Sequence, residues 1–343
     1  MKFEIWIKAA LVCALLAGPA TASAVMSHER AEAAKSALDR GKADDALQLL
    51  DAALKEDPND AGAFNLRCRV FYAEELWDQA IADCSRAVQL EGGNSTYHMW
   101  LGRAYGEKAQ RVTFVAAYKL AKQIRVEFET AANLDPRSGE ALSDLGEYYT
   151  DAPAVLGGGS AKAEAVAKQL DAFAPVRAID LRAQIAEAKK DYASAETLLR
   201  AKISASHSSA QSWMDLGSFY RRHDRWDEML AAVQSGAVAA DRDHGPPLAD
   251  GAATLMKAGR EPRLAIEWMR AYLGSDALSE DAPAFVVHAR LGTVLSQQGD
   301  AQAAQKEFAA ARSLAKDYAG LPAAEKTAQL RGKDKDADGA LGR

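Results

Sequence analysis

The stretch WMDLGSFY, residues 213–220, combines large apolar side chains with a Leu-Gly pair at a fixed spacing. Trp213, Leu216, Gly217 and Tyr220 stand at relative positions i, i+3, i+4 and i+7, which share one face of an α-helix. The glycine lies between large neighbours on that face, so a second helix can approach its backbone closely. The segment therefore predicts the first helix of a tightly packed helix pair.

Incomplete copies of this pattern recur along the chain. A Leu-Gly pair, followed by Tyr or Leu, returns at residues 101–105, 145–149 and 291–295. Nearer the N-terminus, Ala46 and Ala53 are followed 34 residues later by Ala80 and Ala87. Self-similarity at this period indicates a stacked array, in which each unit covers its apolar faces only against its neighbours.

These positions together resemble the tetratricopeptide repeat (TPR) family, from about residue 27 to residue 318. The resemblance implies an all-α fold, a right-handed superhelical solenoid of stacked antiparallel helix hairpins. The composition agrees, because 48% hydrophobic and only 7% aromatic residues leave many Ala and Leu, which favour helices. We predict hairpins near residues 27–60, 61–94, 95–138, 139–177, 178–209, 210–243, 244–278 and 285–318, of which the fifth and seventh are degenerate.

Two segments in the middle of the chain depart from the repeat. The third repeat is about ten residues longer than the family spacing, and the added residues 108–123 have a helical pattern. The fourth repeat carries a Gly-rich connector over residues 151–160. Insertions in solenoids map to one face and often to binding surfaces.

The N-terminus has the three-part plan of a secretory signal peptide over residues 1–24. Its apolar run, residues 9–18, is shorter than a membrane-spanning helix requires, although an uncleaved anchor is the competing interpretation. Val12 also stands where a lipoprotein signal would need a small residue before Cys13. We expect cleavage before Val25 and a periplasmic or secreted protein, with residues 25–318 as the solenoid. Residues 319–343 then form a possible capping helix and a disordered charged tail.

The net charge of −6 gives no basic face for a nucleic acid, so we expect no nucleic-acid partner. The sequence also lacks a Gly-x-Ser-x-Gly elbow, a His-Glu-x-x-His zinc motif and a phosphate-binding Gly-Lys-Ser/Thr. We therefore expect no enzymatic activity and no cofactor. Asp334, Asp336 and Asp338 match the first half of a calcium-binding loop, but its final Glu is missing, so a disordered tail is favoured.

Cys68 and Cys84 occupy opposed positions in the second hairpin. Export would permit a disulfide between them. Facing helices commonly pack 8–10 Å apart, which favours two buried thiols over the bond.

The resemblance also implies which residues face a concave groove. They are Asn65, Arg69 and Tyr72 in the second repeat, Trp100 and Arg103 in the third, Asp144 and Glu147 in the fourth, and Met214, Asp215 and Arg221 in the sixth. Arg, Tyr and Trp dominate interface hot spots, so an acidic or C-terminal carboxylate peptide fits around Arg69 and Arg103. Alternatively, single arginines merely solvate an Ala-rich surface and Trp100 packs internally.

The leading hypothesis is a non-catalytic protein-interaction scaffold that binds an extended peptide or a helix of a cell-envelope protein. Contact with a membrane is then expected only through partners or an uncleaved signal. An alternative is a structural envelope-assembly component that acts through the inserted hairpin and the connector. A remote third is the accessory part of a hydrolase or transferase.

Overall fold

The computed structural model describes residues 19–240 and 246–326, with side chains from residue 29 onward. Its α-helices come in eight consecutive pairs and no strand occurs among these residues, which confirms an all-α solenoid. The pairs are α1 (Pro19–Asp39) with α2 (Ala43–Glu56), α3 (Ala61–Ala73) with α4 (Trp77–Leu90), α5 (Ser95–Ala109) with α6 (Phe114–Leu134), α7 (Gly139–Asp151) with α8 (Ser160–Leu170), α9 (Pro175–Ala188) with α10 (Tyr192–Ala205), α11 (Ala210–Arg222) with α12 (Trp226–Ala239), α13 (Pro247–Ala258) with α14 (Pro262–Leu273), and α15 (Ala284–Gln298) with α16 (Ala301–Leu314).

Side-chain caps fix where several first helices of the pairs begin. Asp60, Ser138 and Ser209 each accept a hydrogen bond from the backbone N–H three residues on, and Asn94 accepts one from the N–H two residues on. Such a cap satisfies a backbone donor that the first turn of a helix leaves without a partner. The caps therefore start α3, α5, α7 and α11 at defined residues.

The glycines of the Leu-Gly pairs lie where two helices approach most closely. A Cβ atom added at Gly102 would stand 2.5 Å from Phe128 Cε1, and one at Gly292 would stand 2.7 Å from Phe308 Cε1. Gly217 faces Val233 of α12 in the same way. Because no side chain larger than hydrogen fits, the glycine pattern sets the separation of each helix pair.

The second hairpin has a cysteine in place of this glycine, and the structure joins Cys68 to Cys84 by a disulfide. Their Cα atoms are 5.3 Å apart. The prediction of two buried thiols is therefore wrong, because the 8–10 Å spacing applies to helix axes whereas the disulfide limit applies to Cα atoms. Since Cα atoms lie about 2.3 Å from the axis, helices packed 9–10 Å apart bring facing Cα atoms within bonding reach.

The two departures from the repeat lie against each other. Helix α6 has 21 residues, whereas α2 and α4 have 14, and the connector forms a 3-10 turn at Ala154–Leu156. The Tyr148 hydroxyl lies 3.0 Å from the carbonyl oxygen of Ala121 in α6 and 2.9 Å from that of Leu156. The long helix and the connector thus form one local structure on α7.

The first and last hairpins meet, so the solenoid closes into a ring. Ala319 N–H donates to the carbonyl oxygen of Glu74 at 3.0 Å, and Lys316 N–H donates to Asp44 Oδ2 at 3.2 Å. Tyr318 donates to Glu75 at 3.3 Å, and Arg69 pairs with Glu280. We call this contact the seam, with Asp44, Arg69, Glu74 and Glu75 on one side and Glu280, Lys316, Tyr318 and Ala319 on the other.

The seam is also apolar, because the two ends of the chain share one hydrophobic core. Leu38 and Leu50 belong to the same buried cluster as Phe285 and Leu321. Gly41 has a φ of +65°, and a Cβ atom there would stand 2.2 Å from the backbone nitrogen of Ala284. Leu321 begins a helical turn over residues 321–326, within the segment for which a capping helix is predicted.

A buried carboxyl group without a partner lies in the seam. Glu74 is 0% exposed, and among the described residues neither of its carboxylate oxygens has a hydrogen-bond partner. Burial, with repulsion from Asp44 and Asp317, raises the pKa of Glu74 to about 7, and Lys316 only partly opposes this. The protonated carboxyl is therefore the form that suits the closed ring.

Some predictions fall outside the described residues. They include residues 1–18 of the leader and the calcium candidates Asp334, Asp336 and Asp338. Within the described ranges, none of the helices is both long and apolar enough to span a membrane.

Because Cys68 and Cys84 are bonded, we expect no free thiol in the chain from Val25 onward. A thiol titration of the protein unfolded without reductant measures this. The Cys68→Ala/Cys84→Ala variant should lose about 3 kcal/mol of stability, because the bond closes a short loop in the unfolded chain. Urea denaturation with and without reductant measures this loss. Two titratable thiols in the unreduced protein would contradict the bond.

Glu74 predicts that the closed ring weakens as the pH rises through about 7. The folded protein holds this proton above pH 4.5 whereas the unfolded chain releases it, so stability falls between about pH 4.5 and 7. The full penalty, about 3 kcal/mol, persists above that range. Exchange of the Ala319 amide hydrogen, corrected for its intrinsic rate, should be faster at pH 8 than at pH 6.

The Glu74→Gln variant should remove most of this pH dependence, because the amide does not ionise. Glu91→Gln, at an exposed carboxylate, is the matched control and should exchange like the parent protein. An unchanged pH dependence in Glu74→Gln would refute the assignment to Glu74.

Candidate functional site

The ring encloses a space that we call the lumen, and the first helices of the hairpins supply most of its wall. One open part of the lumen near the seam, which we call the chamber, has a volume of about 450 Å³. Residues of α3 and α5 line one side of the chamber, and residues 280–290 line the other. The chamber therefore exists only because the two ends of the chain meet.

Three aromatic side chains form one wall of the chamber, which we call the aromatic wall. The ring of Tyr72 packs edge to face against Trp77 and Trp100, with centroids 5.4 Å apart in both pairs. This is a favoured geometry for aromatic contacts. Burial raises the pKa of Tyr72 to about 12, so its hydroxyl stays protonated.

Arginines stack on the aromatic wall. The guanidinium carbons of Arg69 and Arg103 lie 5.1 and 4.8 Å from the Trp100 ring centroid. That of Arg111 lies 4.6 Å from the Trp77 centroid. Cation–π contacts of this kind hold the guanidinium groups at the face of the ring. The structure brings Arg69, Tyr72, Trp100 and Arg103 together at this wall.

Arg69 and Arg103, the arginines around which an acidic peptide is predicted to fit, already have carboxylate partners within the chain. Arg69 pairs with Glu280 across the seam. Arg103 donates to Asp144 at 2.6 and 3.3 Å and to Glu140 at 3.3 Å. A partner's carboxylate would therefore have to replace one of these groups or add to it.

Two of the predicted groove residues are buried, which corrects their assignment to the binding surface. Asn65 is 3% exposed and Met214 is 1% exposed. Met214 fills the space left by two glycines, since Cβ atoms at Gly236 and Gly251 would stand 2.8 and 2.9 Å from it. Repeat position alone does not show whether the next hairpin covers a side chain.

The remaining predicted residues lie in two separate parts of the lumen. Glu147 lies near Asp144, on the side of the aromatic wall. Asp215 lies on α11, where Lys202 of α10 reaches in and bridges it to Asp180, with both contacts at 2.5 Å. The sequence analysis did not identify Lys202, because a lysine of an outer helix gave no sign of facing inward.

A basic arc, formed by Arg221, Lys257 and Arg290, lies on α11, α13 and α15. Within residues 29–240 and 246–326, none of the three forms a salt bridge, although the charge of Asp250 attracts Lys257 and Arg290, and the buried Arg221 Nε has no acceptor. Burial, together with repulsion from Arg290 and Arg221, lowers the pKa of Lys257. Of these residues only Arg221 was predicted.

A spacing of one repeat length in the sequence points to two residues that were not predicted, Arg111 and Arg260. Trp77 and Trp226 each start the second helix of a hairpin, and an arginine follows each one 34 residues later. Arg111 stacks on Trp77, and Arg260 stacks on Trp226 at 5.0 Å. One repeat length therefore places an arginine over the tryptophan of the preceding repeat. No repeat spacing in the sequence relates Glu280 to Arg69, because the two residues meet only when the ring closes.

The described residues contain no group of three or more His, Cys, Asp or Glu side chains arranged to hold a metal ion.

Comparisons with known proteins gave structural similarity alone. No family model matches the sequence, and no curated protein matches it. A thermophilic TPR protein from Thermus thermophilus is similar, with a TM-score of 0.48 and 20% identity over 56% of this chain and 98% of that one. A tetratricopeptide repeat protein from Parabacteroides merdae has a TM-score of 0.42 and 15% identity, over 89% of this chain and 99% of that one.

The Cut9–Hcn1 hetero-tetramer of the APC/C also matches, with a TM-score of 0.40 and 13% identity. That match covers 90% of this chain, which spans 58% of the matched chain. The class of the protein, an all-α repeat solenoid, follows from its own helix pairs.

Because Arg69 and Glu280 pair across the seam, we expect the Glu280→Gln substitution to weaken the contact that closes the ring. The substitution leaves a largely buried guanidinium without its counter-charge, which is costlier than removing both charges. We expect a larger radius of gyration in small-angle X-ray scattering. The Arg69→Met/Glu280→Met variant, which removes both charges, should stay closer to the parent value; equal expansion of the two variants would argue against the pair.

Proposed function

We propose that this chain is a non-catalytic scaffold that binds an extended segment of a partner protein in its lumen. The observation that carries the proposal is the aromatic wall, where Tyr72 and Trp100 meet Arg69 and Arg103 at an open chamber. Tyr, Trp and Arg are the residues that dominate binding energy at protein interfaces. Here they are held rigidly by neighbours, which lowers the entropy cost of binding.

The dimensions of the lumen favour an extended segment over a folded domain. Three of its cavities have volumes of about 490, 450 and 420 Å³. Cavities of this size accommodate a few side chains each. A segment that crosses the lumen would therefore place successive side chains in successive cavities.

The chemistry of the chamber supports a carboxylate on the partner. Glu280 and Asp144 show how Arg69 and Arg103 receive a carboxylate beside Trp100. Arg290 lines the same chamber and forms no salt bridge among the described residues, although the charge of Asp250 acts on it. An acidic side chain or a C-terminal carboxylate of the partner would satisfy this guanidinium group.

The proposal includes a place of action in the periplasm or outside the cell. Two observations support it. Residues 1–24 have the pattern of a secretory signal. The bond between Cys68 and Cys84 is of a kind that persists in oxidising compartments.

Photo-crosslinking tests the proposal with a residue that has room for the reagent. A Cβ atom at Gly106 would meet nothing within 4 Å, and this residue lines the lumen. Benzoylphenylalanine at position 106 should form an adduct with a partner in envelope extract. The same reagent at Val238, which is exposed on the outer helix α12, should not form that adduct.

The Arg69→Ala/Arg103→Ala variant should reduce the adduct at least about tenfold, since loss of two interface anchors costs more than about 1.4 kcal/mol. Arg40→Ala/Arg263→Ala removes two exposed arginines and is the control for charge. Circular dichroism verifies that each variant is folded, and small-angle X-ray scattering verifies that the ring stays closed, because Arg69→Ala leaves Glu280 without its partner. An undiminished adduct in the first variant would exclude the aromatic wall as the binding site.

A second candidate function has its own supporting observation. At the start of the long helix α6, Phe114 is 84% exposed and Val115 is 66% exposed. An envelope-assembly component that acts through the inserted hairpin would use such a surface. Loss of partner capture in Phe114→Ser/Val115→Ser, with capture intact in the double-arginine variant, would select this alternative.

A further inference from the structure

A second cavity of the lumen, which we call the side pocket, has a volume of about 490 Å³. It lies where α5, α6 and α7 meet the connector that follows α7. Ala121 and Ile124 of the long helix line it, and so do Pro153 and Leu156 of the connector. Both departures from the repeat therefore contribute to one cavity, which a regular hairpin would not have.

The floor of the side pocket is apolar. Ile124, Phe128 and Tyr148 are buried members of one hydrophobic cluster and present their edges to the cavity. The Tyr148 hydroxyl lies within hydrogen-bonding distance of the carbonyl oxygens of Ala121 and Leu156 and donates its single proton to one of them at a time, so it contacts both inserted segments. A large apolar side chain would find a preformed surface here.

The mouth of the side pocket is acidic. Glu107, Asp144, Glu147 and Asp151 line it, and Arg103 is the only cation among the lining residues. Arg103 pairs with Asp144, and Arg111 pairs with Glu107. Glu147 and Asp151 have no hydrogen-bond or ion-pair partner within the described part of the chain. Two carboxylates are thus left to interact with a ligand.

The carboxylates at the mouth repel one another. Partial burial raises the pKa of Asp144 and of Asp151. Limited hydration raises the pKa of Glu147, and the charges of Asp144 and Asp151 raise it further. The side chain of Glu147 remains exposed to water in the lumen. A bound cation would therefore lower the pKa of Glu147 by relieving its repulsion from Asp144 and Asp151.

We propose that the side pocket binds a Lys or Arg side chain that lies next to a large apolar residue in an extended partner segment. The cation would lie between Glu147 and Asp151, and the apolar residue would cover Ile124 and Phe128. This inference rests on the proposed scaffold function and adds a specificity to it. The aromatic wall would hold one part of the segment, and the side pocket would select its basic part.

A random dodecapeptide display library, panned against the immobilised full chain, tests the proposal. Peptides retained by the parent protein should be enriched in Lys or Arg flanked by Leu, Ile, Phe or Met. The Glu147→Gln/Asp151→Asn variant should lose this enrichment while still retaining peptides. Asp227→Asn/Glu267→Gln, which neutralises two exposed carboxylates on the outer helices, should keep it.

Affinity measurements on a selected peptide sharpen the test. Fluorescence anisotropy should show an affinity at least about tenfold weaker for Glu147→Gln/Asp151→Asn, because two charge-assisted contacts are lost. Binding to the parent protein should also weaken as the pH is lowered, since the raised pKa values of Glu147 and Asp151 make these carboxylates accept protons at a higher pH than ordinary carboxylates do. The doubly neutralised variant should show a smaller change.

The outcomes separate the inference from the function on which it rests. If the parent protein retains no peptides, the scaffold function and the side-pocket inference both fail. If it retains peptides without a preference for Lys or Arg, or if the doubly neutralised variant keeps that preference, the inference alone is overturned.

Discussion

The shape of this protein depends on how the apolar faces of its first and last hairpins are covered. A helix hairpin in a solenoid leaves apolar faces that only its neighbours can cover, so the first and last hairpins of an open stack remain partly exposed. Here the ends cover each other, since Leu38 and Leu50 share a core with Phe285 and Leu321. Burial of this apolar surface favours closure, and the hydrogen bonds of the seam fix its register.

Closure changes the role of charged residues that a linear solenoid would expose. Arg69 belongs to the second hairpin, yet its carboxylate partner Glu280 precedes the last one. The same contact buries Glu74 completely, and its carboxylate has no hydrogen-bond partner among the described residues. The seam therefore combines apolar stability with an ionisable group that opposes closure when charged. Access to the lumen and the stability of the ring are linked through these few residues.

The proposed binding surfaces combine recurring and unique elements. The aromatic wall uses the repeat period, because an arginine one repeat after Trp77 stacks on that tryptophan. The side pocket uses the two segments that break the period, the long α6 and the connector. Repetition thus supplies the common framework of the lumen, and the insertions supply chemistry that distinguishes one part of it from the rest.

The sequence by itself determined the local architecture. Leu-Gly pairs and capping residues act over one or two turns, so they fixed the helix pairs and brought Arg69, Tyr72, Trp100 and Arg103 to one face. Only the tertiary structure decided what depends on distances between helices. It buried Asn65 and Met214, brought Cys68 to Cys84 across the axes of two helices, and paired Arg69 with Glu280. Small rotations between successive hairpins accumulate along a solenoid, and no local pattern shows that their sum brings the two ends together.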